Sequence, residues 1–193
     1  MEQQLSHAQR SKLRIFRQVA AEARAALSVA REDDETVRVV GGYIESDDTT
    51  RVRNMCIPVR RAYLKNDPVN MRHIVELLGE TAPPEIQERL GAFEASYAPI
   101  QGELDSASIL NDRRVTHAEM FEKWIDAVVF HDIPAKRQPF LAMAEELGKA
   151  VEGIGLFLAE RIAQCLIDLD AIVADFLGEP PDVVPEAVSS SDH

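Results

Sequence analysis

The sequence predicts an all-α fold, a single-domain helical bundle of about six or seven helices with a long C-terminal spine helix and at most a minor β-hairpin. Three observations carry this expectation. From Phe140 to Phe176 apolar residues recur without one intervening proline: Phe140, Ala144, Leu147, Val151, Ile154, Leu158, Ile162, Cys165, Leu169, Ile172, Phe176. Ten steps cover 36 residues, the 3.6-residue period of a straight α-helix rather than the 3.5 of a left-handed coiled coil. Helix-start signals recur upstream, as capping boxes and as prolines at first-turn positions. Finally, 193 residues at 46% apolar and 28% charged content suffice for one sizeable core.

Taken in order, Ser6 and Gln9 form a capping box that opens a first helix through Leu13, Phe16, Ala20, Ala23, Leu27 and Ala30. The acidic stretch 31–35 ends it. Residues 36–46 read either as a hairpin turning at Gly41 and Gly42 or as a helix with Val37, Val40 and Ile44 on one face, and the helix with a glycine interruption is preferred. Val52, Met55, Cys56, Val59 and Tyr63 have helical spacing, with Pro58 expected to kink the helix or begin a new turn. Asp67 as N-cap and Pro68 at the first helical position start a helix through Met71, Ile74, Val75 and Leu78, with Gly79 closing it.

Pro83 and Pro84 open the next helix, with Ile86, Leu90, Phe93 and Tyr97 inward and Pro99 at its end. Residues 109–115 read as a turn with short extended arms. Thr116 and Glu119 form a second capping box for a helix through Met120, Trp124 and Val128, ended by the run from His131 to Pro134. Pro139 stands near the start of the spine helix and Gly178 caps it. Gly148, Gly153 and Gly155 inside that helix each cost about 1 kcal/mol against Ala. They imply either close packing or a break at 153–155. The domain assignment is a helical body over 1–178 and a disordered acidic tail over 179–193, whose three prolines and serine run cannot build a core.

Composition excludes several functional classes. The most apolar stretch, Gly153 to Leu177, carries Glu160, Arg161, Asp168, Asp170 and Asp175, which a bilayer centre penalises, so no membrane span is expected. The first sixteen residues contain no apolar run, and a cytoplasmic location is the expectation. Cys56 and Cys165 lack metal or redox spacing and read as reduced core residues. No P-loop, GxSxG elbow or strand-linked GxGxxG is present. The Arg-to-His spacing of helical ribonucleases is missing too, since only three residues separate Arg113 from His117.

The densest group of reactive side chains is His117, Glu119, Asp126, His131 and Asp132. On one helix His117 and His131 lie about 21 Å apart at about 1.5 Å per residue, too far to share an ion. His73 with Glu76 supplies two ligands and no third. No metal and no cofactor is expected.

Charge is distributed unevenly. Residues 1–75 hold 13 basic against 10 acidic side chains, whereas residues 76–193 hold 8 against 23. Arg10, Arg14, Arg17 and Arg24 fall along the first helix; the preferred account of this stripe is a solvated face paired within the chain, and its functional alternative is a candidate partner-binding face for an acidic protein or a second copy of the chain. Read as solvent-exposed, Arg14 and Arg17 should tolerate charge reversal without loss of the fold. The functional expectation is a non-enzymatic protein-interaction or regulatory module, self-association included. Its rivals are a helical hydrolase or nuclease using His131 and Asp132, and a nucleic-acid-binding regulator working through the basic first helix.

Overall fold

A computed structural model describes residues 5–32, 39–40, 43–44, 48–63, 67–110, 113–129 and 150–180. Among them are six helices: α1 (His7–Glu32), α2 (Asp48–Tyr63), α3 (Met71–Thr81), α4 (Pro84–Asp105), α5 (His117–Val129) and α6 (Ala150–Leu177). Two antiparallel hairpins accompany them, β1 (Val39–Val40) with β2 (Tyr43–Ile44), and β3 (Ala107–Leu110) with β4 (Arg113–Thr116). The fold is an all-α helical bundle, and α6 packs against each of the other five described helices.

Burial explains that central position. Leu158, Ile162, Leu166, Leu169 and Val173 on α6 are fully buried, and Ala159, Ala163 and Ala174 let neighbouring helices approach closely. Against them stand Leu13, Phe16, Val19 and Ala23 of α1, Cys56 and Val59 of α2, Ile74 and Leu78 of α3, Leu90 and Leu104 of α4, and Phe121 and Ile125 of α5. Each fully buried aliphatic side chain stabilises the fold by roughly 1.5–3 kcal/mol relative to exposure. The helix runs unbroken through Gly153 and Gly155, so of the two readings of these glycines the break is not the one formed. The upstream part of the stripe, 140–149, lies outside the described residues, as does the run from His131 to Pro139.

Both capping boxes form. The Ser6 amide donates to Gln9 Oε1 at 2.8 Å while the Gln9 amide donates to Ser6 Oγ at 3.2 Å. Thr116 and Glu119 make the same reciprocal pair at 3.1 Å each. Between residues 39 and 44 the hairpin is formed instead of the preferred helix, with Val39 opposite Ile44 and Val40 opposite Tyr43. Two adjacent glycines penalise a helix by about 1 kcal/mol each and favour a tight hairpin turn.

Prolines and caps move three helix ends. Asp67 caps a turn, accepting from the Val69 amide at 3.0 Å, and α3 starts three residues later, where Asn70 Oδ1 accepts from the Arg72 amide at 2.9 Å. Gly79 does not end α3, which continues to Thr81 before Pro83. Nor does Pro99 end α4. The helix continues to Asp105 because the turn beyond the proline buries Ile100 and Leu104, offsetting the lost backbone bond and the ring clash. In α2 Pro58 likewise sits inside one continuous helix.

Candidate functional site

The arginines of α1 are oriented by the helical period. Arg14 and Arg17 are three residues apart and Arg24 lies two turns further on, on the side that meets the C-terminal end of α6. Gly178 adopts φ +67° and closes α6 in a Schellman motif, with its amide donating to the Asp175 carbonyl at 3.1 Å and the Glu179 amide to the Ala174 carbonyl at 2.9 Å. That turn folds Glu179 and Pro180 back onto α1. Arg17 then donates from Nε to Asp170 Oδ1 at 3.1 Å, from one terminal nitrogen to Glu179 Oε2 at 2.6 Å, and from the other to the Pro180 carbonyl at 2.7 Å. Arg24 reaches the second oxygen of Asp170 at 3.2 Å, and Arg14 grips Glu179 Oε1 with two nitrogens at 3.0 and 3.1 Å.

Arg14, Arg17 and Arg24 pair within the chain, as the preferred account of this stripe has it, but Arg17 is not the solvent-exposed side chain that account assumed. Arg17 is 3% exposed and Asp170 2% exposed, so this pair belongs to the interior. Expected tolerance to reversal of Arg17 is therefore corrected, because a glutamate there would face two buried or half-buried carboxylates. Of the four arginines, Arg14, Arg17 and Arg24 are engaged within the chain and Arg10 stands exposed. The helical body also extends past Gly178 to Pro180, and residues 181–193 lie outside the described part.

Electrostatics follow from burial. Desolvation pushes the Asp170 carboxyl above its ordinary pKa, and the Arg17 and Arg24 guanidiniums pull it back without cancelling the burial. Glu179 shows the opposite outcome: burial is its largest single influence, yet the combined hydrogen bonds and charges of Arg14 and Arg17 hold its pKa below the usual value.

Of the reactive group, His117 Nδ1 lies 2.9 Å from Ser106 Oγ, a pairing created when β3 and β4 bring the end of α4 to the start of α5. The Ser106 hydroxyl donates to the Glu103 carbonyl at 2.5 Å. Its proton is therefore directed away from the imidazole, an arrangement that joins two helix ends and leaves no activated nucleophile. His131 and Asp132 lie outside the described residues. Glu76 pairs with Arg72 at 2.9 Å, away from a metal role with His73. Among the described residues no group of three or more His, Cys, Asp or Glu is arranged to hold a metal ion, and no helix is long and apolar enough to cross a membrane.

A concave site lies between α2, α3, α4 and α5, with a volume of about 530 Å³. That is within the range of ligand-sized clefts, about 300–1,000 Å³. Its apolar surface comes from Tyr63 on α2, Met71 and Val75 on α3, Phe93, Tyr97 and Leu104 on α4, and Ala118 on α5. Phe93 and Tyr97, one helical turn apart, stack nearly parallel with centroids 6.0 Å apart. Tyr63 is fixed edge-on against Phe121 at 5.3 Å. Glu76, Glu94, Asp105 and Glu122 line the same cleft, and among the described residues Arg72 is its one cationic lining residue.

Burial, then the negative charges of Glu122 and Asp105, push the Tyr63 phenol up to about 12. Burial also raises Tyr97. Both therefore remain neutral donors, and among the described residues neither hydroxyl has a hydrogen-bond partner.

Sequence reasoning placed Phe93 and Tyr97 inward but did not identify this cleft. The i, i+4 aromatic pair was the available signal. Glu122 and Tyr63, 59 positions apart in the chain, meet only through packing of α2 on α5. No protein-family model matches the chain, and neither a curated protein nor a solved structure shows significant similarity to it.

Proposed function

We propose that this chain is a non-enzymatic protein-interaction module that presents the α2–α5 cleft to a segment of a partner polypeptide. The observation that carries this reading is the cleft itself, a half-open cavity of about 530 Å³ whose apolar floor and polar wall are supplied by four helices. Rigid helices are suited to holding a docking surface in one shape, so the partner alone bears the ordering cost. The arginine face of α1 is the weaker candidate, because Arg14, Arg17 and Arg24 already have carboxylate partners in the chain.

A photo-crosslinking amino acid at position Gln101, an exposed residue of the cleft, is expected to capture a partner that the same group at Glu88, outside the cleft, does not. Gln101→Trp should fill the cleft, abolish binding of that purified partner and leave the melting temperature unchanged. Equal capture at both positions, or undiminished binding by Gln101→Trp, overturns the reading. An adduct of twice the chain mass identifies the partner as a second copy.

A further inference from the structure

Resting on that reading of the cleft, we infer that its occupant is a basic segment, an arginine- or lysine-bearing stretch of another polypeptide. Among the described residues four carboxylates line the site against one guanidinium, and that guanidinium, Arg72, is already matched to Glu76 at 2.9 Å. Glu94, Asp105 and Glu122 have no ion-pair partner among the described residues. The chain as a whole carries a formal charge of −12, so the long-range field favours the same sign of ligand.

The apolar floor narrows the class further. A hydrated metal ion gains nothing from stacked aromatic rings, and an acidic segment is repelled by the wall. A purely apolar helix would strip water from carboxylates without replacing their hydrogen bonds. Lysine and arginine side chains combine an aliphatic stem with a cationic head. The stem matches Val75 and the Phe93–Tyr97 shelf, and the head meets the carboxylates and ring faces at once. The phenol oxygens of Tyr63 and Tyr97, without a hydrogen-bond partner among the described residues, supply further acceptors for N–H donors. The cleft is thus a receptor for basic side chains, with Arg72 acting as an internal competitor at its edge.

The test uses the full chain and a short fluorescein-labelled peptide of alternating arginine and serine, with glutamine-for-arginine and glutamate-for-arginine analogues, read by anisotropy. The arginine peptide is expected to bind, more weakly as salt rises from about 0.01 M to about 0.15 M and the screening length shrinks from about 30 to about 8 Å. Neither analogue should bind. Glu94→Gln with Glu122→Gln should weaken binding by about tenfold or more, and Arg72→Gln should tighten it. Glu85→Gln with Glu88→Gln, the same charge change on exposed residues of α4 outside the cleft, should alter affinity by less than about twofold. Equal weakening by the two pairs reduces the effect to net charge and overturns the inference, as does binding of the glutamine analogue or no binding at low salt. A partner lost with Gln101→Trp but insensitive to salt and to Glu94→Gln with Glu122→Gln would retain the docking cleft while excluding a basic occupant.

Discussion

Arg17→Met is the perturbation whose cost the structure apportions most clearly. It removes three donated hydrogen bonds, to Asp170, Glu179 and Pro180. Their losses are unequal. Glu179 is 26% exposed and keeps Arg14, and the Pro180 carbonyl belongs to an exposed residue, so water and Arg14 compensate both. Asp170 is 2% exposed and keeps the Arg24 guanidinium at 3.2 Å. Breaking one side of a buried ion pair costs about 3–5 kcal/mol, and the surviving Arg24 contact places this variant near 3. For a chain of this length that corresponds to a melting-temperature drop of roughly 6–12 °C.

The pair itself is expected to fix how α1 sits on α6 more than to add net stability, because desolvating both ions offsets most of their attraction. Arg17→Met with Asp170→Leu should therefore recover most of the loss, giving a large coupling in a double-mutant cycle. The pH dependence has a definite sign. Without Arg17, burial drives the Asp170 pKa further above its unfolded value of about 3.9, so the folded variant binds that proton more tightly than the unfolded one. Stability attributable to this group is present in acid and falls as pH rises through the window above about 3.9, making the deficit larger near pH 7 than near pH 4. Urea denaturation followed by circular dichroism, with unchanged m, measures all of this. A loss below about 1 kcal/mol, the size of a surface pair, or additive losses in the double variant, refutes the argument.

Leu158→Ala and Leu169→Ala, at fully buried positions on α6, should each cost about 2–5 kcal/mol by denaturant titration. Losses near about 0.5 kcal/mol at both would mean that α6 is not the core of the bundle. Ending the chain after Pro180 should leave the melting temperature nearly unchanged, whereas ending it after Gly178 should lower it by removing Glu179 and the Pro180 carbonyl from Arg14 and Arg17. Indistinguishable melting of the two truncations would show that these contacts contribute nothing measurable.

The sequence by itself determined what depends on neighbours in the chain. An apolar period of 3.6 places Leu158, Ile162 and Leu169 on one face of a helix whatever surrounds it, and Ser6–Gln9 and Thr116–Glu119 cap helices with atoms three residues apart. Local rules failed where tertiary burial outweighed them. Pro99 interrupts a helix intrinsically, but the burial of Ile100 and Leu104 beyond it carried α4 onward. Arg17 and Arg10 share one helix and one chemistry. Only the approach of α6, and the left-handed turn at Gly178, decided that Arg17 is enclosed by Asp170 and Glu179 while Arg10 faces water. The cleft was decided in the same way. Tyr63, Phe93 and Glu122 lie on three different helices, and no periodicity within one helix encodes the angle at which another packs against it.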